Sequence, residues 1–160
     1  MQTTSKIFVS CLCCLVLFVV SGCGGGAPKL TPAEQADVDR IIAEHGRDAL
    51  LFYLQDLYMQ SRNNSDEDII LKYLKHFVSK GANVNAKGID NITSLHFAAG
   101  FANVEVVKFL VASGAEINAK TEGGRMFVSN CTPLDDARYS GHNTVVKYLE
   151  SLGAKSGKDL

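Results

Sequence analysis

The seven residues from Gly81 to Lys87 recur thirty-three residues later, from Gly114 to Lys120, with five of the seven letters unchanged. A period of this length is typical of helix–loop–helix units that stack on one another. Such units cannot bury their apolar faces alone, and the stack they form presents an extended surface that usually binds another protein. The period therefore predicts an all-α solenoid and favours binding over catalysis.

The residues around the repeat are typical of helix ends. Thr93 and Thr132 can each accept a hydrogen bond from the free N–H groups of a first helical turn, and Pro133 suits the first helical position because its missing N–H costs nothing there. Three glycines are placed to end helices in the left-handed conformation: Gly81, Gly114 and Gly153. Helical spacing between these ends predicts an apolar core of Val106, Val107, Leu110, Val111, Val145, Val146 and Leu149.

Two segments carry a more specific signature. Residues 93–99, Thr-Ser-Leu-His-Phe-Ala-Ala, and residues 132–137, Thr-Pro-Leu-Asp-Asp-Ala, resemble the Thr-Pro-Leu-His-x-Ala motif of ankyrin repeats. The resemblance implies an ankyrin-repeat solenoid over residues 66–155, with short inter-repeat loops or hairpins. It also implies an inter-repeat hydrogen bond from the histidine of the motif, which is present as His96 but is replaced by Asp135 in the next unit.

The segments around the two units lack this motif. Residues 31–65 contain two helical patterns, the first opened by a capping signature at Thr31 and ended near Gly46, and we expect an N-terminal helical cap there. Residues 156–160 are expected to be frayed. The two motifs lie thirty-nine residues apart rather than thirty-three, which predicts an insertion of six residues between residues 121 and 131.

The first twenty-two residues have the pattern of an export signal. Lys6 precedes a predominantly apolar run from Ile7 to Val20, which is too short for a membrane span of about 20 residues. The tetrad Val-Ser-Gly-Cys at 20–23 resembles a bacterial lipobox, which implies cleavage before Cys23 and lipidation of its thiol. An ordinary secretory signal or an uncleaved anchor, with an incidental cysteine, is the alternative.

The lipobox resemblance also implies a cellular location for the protein. Several acyl chains on Cys23 would hold it on a membrane, and residues 23–30 would form a short flexible tether. Gly24 follows the cysteine where an aspartate would be expected for retention at the inner membrane, so we expect the periplasmic face of the outer membrane.

Composition and motif searches give no sign of catalysis. Loss of Lys6 would leave fifteen basic and seventeen acidic side chains, which does not suggest nucleic-acid binding. The four histidines form no zinc-ligand pair, and nucleophile-elbow and phosphate-loop motifs are absent from the sequence, so we predict no enzyme activity, metal or cofactor. Cys131 would be the last unmodified cysteine, and Asp135 and Asp136 are interpreted as first-turn acids that favour the helix dipole.

The ankyrin resemblance implies that the inter-repeat loops and the exposed faces of the first helices bind a partner protein. The predicted partner-binding residues are Ile89, Asp90, Ile92, Phe101, Arg125, Met126, Phe127, Val128 and Tyr139. Those in the insertion combine an aromatic anchor, a thioether and a guanidinium, which are enriched at interface centres. The alternative is that Met126, Phe127 and Val128 fold back over the last repeat.

Three functions follow from these expectations. Small ankyrin-like lipoproteins resemble immunity partners of phospholipase effectors delivered by type VI secretion, and an immunity protein that neutralises such a toxin is our preferred interpretation. The alternatives are an envelope adaptor lipoprotein and an accessory protein of a periplasmic peroxidase. A lipase-effector gene or a peroxidase gene beside this one would discriminate between them.

Overall fold

A computed structural model describes residues 30–60, 67–101, 103–122 and 130–160 of the 160-residue chain. Over these ranges the chain forms seven α-helices: α1 Pro32–His45, α2 Ala49–Gln60, α3 Glu67–Ser79, α4 Ser94–Gly100, α5 Val104–Ala112, α6 Pro133–Tyr139 and α7 Asn143–Ser151. Single 3-10 turns lie at Gly46–Asp48 and Ile89–Asn91. The predicted signal peptide, Cys23 and most of the insertion lie outside the described residues.

The helices stack in two rows. The first helices of the three pairs, α2, α4 and α6, pack on one another in one row, and α3, α5 and α7 form the other. This arrangement confirms the predicted all-α solenoid. The cap expected over residues 31–65 contains two helices that play different roles. α2 packs against α4 as the first helix of a repeat, although its residues lack the motif. Only α1 lies outside the rows, packed against α2 and α3.

The core runs between the two rows. Five of the seven predicted core residues, Val106, Val107, Leu110, Val145 and Leu149, are at most 1% exposed, and the other two, Val111 and Val146, are half-buried against the same core. Leucines from the neighbouring helices complete the same cluster. The helical spacing therefore predicts the buried faces correctly.

The predicted helix ends are also observed. Thr31 and Glu34 form the capping box of α1, and Lys72 of α3 donates to the same Glu34 carboxylate at 3.0 Å, which ties the cap to the stack. Gly114 ends α5 with φ of 90°, a conformation that costs a residue with a Cβ about 1–2 kcal/mol. Gly81 and Gly153 adopt the same conformation at their own helix ends.

The prediction of a frayed tail over 156–160 is wrong at its first two residues. The N–H of Lys155 donates to Asn118 Oδ1 at 2.9 Å, and its carbonyl accepts from Thr132 Oγ1 at 2.9 Å. Gly157 is buried and Ser156 half-buried, whereas residues 158–160 are exposed. The physical reason is that the chain beyond Gly153 continues as an inter-repeat loop would, so the last helix pair holds it.

Candidate protein-binding surface

The loop between α3 and α4 ends in a tight hairpin turn. The N–H of Gly88 donates to the carbonyl of Ile92 at 2.8 Å, and the N–H of Ile92 donates to Ile89 at 3.2 Å. Asp90 and Asn91 both have φ of 58°, the left-handed geometry of a type I′ turn, which Asp and Asn tolerate better than most residues. The turn projects Ile89 from the stack, and its side chain is 66% exposed.

Ile92 was predicted to contact a partner, and this prediction is wrong. Its side chain is only 3% exposed and packs in a small apolar cluster with Leu51, Ala86 and Phe97. Ile92 lies across the turn from Gly88, and the hairpin directs it toward α2 and α4 rather than outward. Phe101 is half-buried against the same cluster, so it offers part of its ring only.

The insertion is closed at its base. The N–H of Thr121 donates to Cys131 at 3.0 Å, and the N–H of Asn130 donates to Thr121 at 2.9 Å. The next residue, Glu122, donates its N–H to the carbonyl of Asp90 at 2.9 Å. The insertion therefore begins beside the first hairpin turn. Arg125, Met126, Phe127 and Val128 lie outside the described residues, so their two interpretations stay open.

The exposed face of α6 adds a second apolar group. Tyr139 is 93% exposed, and Asp136 lies one turn earlier on the same face of the helix. We use the name tip surface for the two hairpin-turn residues, the residue at the insertion base and these two helical residues: Ile89, Asp90, Glu122, Asp136 and Tyr139. Three of the nine predicted binding residues belong to it.

His96 fixes the start of α6 relative to α4. Its Nδ1 accepts from the N–H of Thr93 at 3.1 Å, and because a backbone N–H can only donate, the ring proton is on Nε2. Nε2 then donates to the carbonyl of Cys131 at 3.3 Å, across to the next repeat. Burial lowers the pKa of His96 to about 4, so the ring is neutral at neutral pH. The structure thus shows the inter-repeat bond that the motif implies.

Asp135 occupies the motif position of His96 in the next repeat, and its carboxylate bonds the segment that follows that repeat. Oδ2 accepts from the N–H of Thr132 at 3.0 Å and from the N–H of Gly157 at 2.7 Å, and it lies 3.0 Å from Thr132 Oγ1, whose single proton it shares with the carbonyl of Lys155. Oδ1 accepts from Ser156 Oγ at 2.7 Å. Burial alone would raise the pKa of Asp135, but these hydrogen bonds outweigh it and lower the pKa below its usual value. The replacement of histidine by aspartate therefore attaches the C-terminal segment.

Asp136 is the residue that sequence reasoning missed. It occupies the place in the motif that Phe97 holds in the preceding repeat, so its carboxyl group is half-buried rather than solvated like an ordinary first-turn acid. Within the described part of the chain this carboxyl group has no hydrogen-bond or ion-pair partner. Burial, together with the neighbouring Asp135 carboxylate, raises the pKa of Asp136 to about 7. The alignment with Phe97 was the signal that could have identified it.

Three properties of the described residues concern thiol reactivity, metal binding and membrane spans. Burial raises the pKa of the Cys131 thiol, and Asp136 and Asp135 raise it further, so the thiol is protonated and a poor nucleophile at neutral pH. Among the residues described, no group of three or more His, Cys, Asp or Glu side chains could hold a metal ion. None of the helices in these ranges is long and apolar enough to cross a bilayer.

Comparisons with known proteins agree with the repeat architecture. Residues 57–158 match the family model for ankyrin repeats, with three copies. The chain is 35% identical over 80 residues to the potassium channel GORK of Arabidopsis thaliana, covering 50% of this chain and 9% of the channel. It is 29% identical over 97 residues to the Notch-regulated ankyrin repeat-containing protein of Xenopus laevis, covering 61% of this chain and 80% of that protein.

A solved structure is similar as well. The ankyrin repeat domain of human ASB11 is 33% identical, with a TM-score of 0.49, and the match covers 64% of this chain and 40% of that domain. Because the family model covers more than half of the chain and the helix pairs stack as repeats, the protein belongs to the ankyrin repeat family.

Proposed function

We propose that this protein captures another protein with its tip surface. Ankyrin repeats generally act as protein-binding modules, and the observation that supports this particular surface is the exposure of Tyr139 (93%) and Ile89 (66%). Aromatic residues are enriched at interface centres, where a few well-buried anchors supply most of the binding energy. The base of the insertion adjoins the same surface through the Glu122–Asp90 bond, so anchors on the insertion would extend it.

Site-specific photo-crosslinking in living cells tests this surface. Benzoylphenylalanine placed at position 89 or 139 should give a covalent adduct of one discrete mass, because these side chains would be covered by the partner. The matched control is position 152, since Leu152 is also apolar and is 41% exposed but lies at the end of α7. Adducts from position 152 alone would contradict the proposal.

We also propose that the module is held on the periplasmic face of the outer membrane by lipid on Cys23. The support is the lipobox-like tetrad at residues 20–23 and the short tether to α1. Cys23→Ser should release the protein from the membrane fraction or leave the signal uncleaved, because no thiol remains to accept lipid. Unchanged fractionation of this variant would contradict the anchor, and the fold should be unaffected because Cys23 precedes every described helix.

We infer that the partner is a toxin, such as a phospholipase effector delivered by type VI secretion, and that binding neutralises it. The support is the resemblance to small ankyrin-like immunity lipoproteins, together with an exposed apolar surface. A phospholipase gene found beside this one would supply the toxin for the test: when that phospholipase is expressed in the periplasm, co-expression of the wild-type protein should restore growth, and Tyr139→Ala should weaken the protection. Photo-crosslinking to a peroxidase or to a non-enzymatic envelope protein instead would contradict the immunity role.

A further inference from the structure

The tip surface contains a carboxyl group that has no partner within residues 30–60, 67–101, 103–122 and 130–160. Asp136 is half-buried on α6, and no hydrogen bond or ion pair involves its side chain in the described part of the chain. Its neighbour Asp135 is fully engaged, with hydrogen bonds from Thr132, Ser156 and Gly157. The two adjacent acids therefore differ in role, because Asp135 holds the C-terminal segment and Asp136 is left unpaired by every residue that the structure describes.

The position of Asp136 makes the missing partner significant. In the preceding repeat the same place in the motif is taken by Phe97, which is only 5% exposed. A carboxyl group at such a place loses part of its hydration, and a partly buried charge is stable only when it is paired. Burial and Asp135 raise the pKa of Asp136 to about 7, and no cation among the described residues counteracts them. A cation supplied from outside would restore the pairing.

The surroundings define the kind of group that would fit. Tyr139 lies one helical turn away on the same face of α6 and is 93% exposed. A guanidinium group can pair with a carboxylate while stacking on an aromatic ring, and the alkyl part of a lysine or arginine can cover apolar surface. Glu122, at the base of the insertion, is exposed and adds a second negative charge to the tip surface.

We propose that the partner protein inserts an arginine or lysine beside Asp136, with the stem of that side chain lying against Tyr139. This inference rests on the proposed function, because it specifies what the tip surface selects. A closely placed charge pair at a partly desolvated site chiefly determines which partner is accepted, since a partner without the cation leaves the carboxylate unpaired.

Selection from a random dodecapeptide phage library tests the inference without knowledge of the natural partner. The full chain, purified in detergent, is the target. Three matched variants are tested in parallel: Asp136→Asn, Tyr139→Ala, and Glu44→Gln as a charge control on the exposed side of α1. Asp136→Asn should stay folded, because it removes a partly buried charge that no described residue pairs with.

The wild type should enrich peptides that contain an arginine or lysine next to an apolar residue. Their affinity should fall at least about tenfold on Asp136→Asn, and by a similar factor when the peptide arginine or lysine is changed to glutamine. The two changes together should cost no more than either alone, and Glu44→Gln should bind as the wild type does.

Two results would overturn the inference in distinguishable ways. Peptides that lose affinity on Tyr139→Ala, but lack a basic residue or bind Asp136→Asn as well as the wild type, would refute the cation and leave the tip surface standing. Peptides that bind Tyr139→Ala and Asp136→Asn without loss would refute the tip surface itself, and the cation with it.

Discussion

Replacing Gly157 with alanine tests whether the C-terminal segment closes the stack. A Cβ at this position would overlap the carbonyl oxygen of Asn130 and lie 2.7 Å from its carbonyl carbon, closer than real Cβ contacts. The obstacle is backbone, which cannot rotate away as a flexible side chain does. The segment must therefore move, and the hydrogen bonds from Ser156 and Gly157 to Asp135 must lengthen or break.

The size of the effect follows from those two bonds. A hydrogen bond to a charged group contributes about 1.5–3 kcal/mol to the free energy of unfolding, so the pair contributes about 3–6 kcal/mol. Release of two residues returns roughly 2–4 kcal/mol of backbone entropy. The expected net loss is about 1–2 kcal/mol. For a domain of this size it should lower the melting temperature by about 3–8 °C.

Thermal unfolding followed by circular dichroism measures the shift, and Gly100→Ala is the control. Gly100 has no atom within 4 Å of a built Cβ and lies at the end of α4, so alanine there should be neutral or slightly stabilising. Asp135→Asn adds a double-mutant test, because the two changes act through one contact and should not be additive. Melting of Gly157→Ala within one degree of the wild type, or additive losses, would refute the docked segment.

Three further predictions concern the stack. Leu110→Ala should lower the free energy of unfolding by about 2–5 kcal/mol in urea titrations, whereas the exposed Leu152→Ala should cost less than about 1 kcal/mol; similar losses would contradict the burial of Leu110. Ser94→Pro should raise the melting temperature, because the Ser94 hydroxyl is buried with no hydrogen-bond partner among the residues described and proline suits a first helical position; a lower value would contradict this geometry. The pKa of Asp136 is raised from 3.8 to about 7, so this group stabilises the folded state below pH 4 and loses that contribution as pH rises through 7. The pKa of His96 is lowered from 6.5 to about 4, so this group stabilises the folded state above pH 6.5 and loses that contribution as pH falls through 4. In urea titrations, Asp136→Asn should therefore raise the free energy of unfolding, relative to the wild type, by more at pH 7 than at pH 4.5. An unchanged pH dependence would contradict the buried carboxyl group.

The stack could be predicted because its signals are local. A threonine that caps a helix and a glycine that ends one act within a single turn of chain, so their positions in the sequence already place α4 to α7. The core valines and leucines follow from helical spacing alone. The place of α2 in the row of first helices could not be predicted from such local signals, because it depends on packing against α4 and not on motif residues.

The errors arise where tertiary geometry decides. Ile89 and Ile92 are the same residue type in the same loop, and only the type I′ turn at Asp90 directs one outward and the other inward. The C-terminal segment looks polar and short, and its order depends on Asp135, which precedes it by about twenty residues. Predicting either feature requires the folded backbone, not the residue pattern.

Hydrogen–deuterium exchange of the full chain with the partner recovered by crosslinking measures the central claim most directly. If the tip surface binds, peptides covering residues 88–92, 119–122 and 132–140 should exchange more slowly in the complex, while those of α5 and α7 should not change. Slower exchange confined to α1 or to the row formed by α3, α5 and α7 would contradict the account, because it would place the partner away from the tip surface.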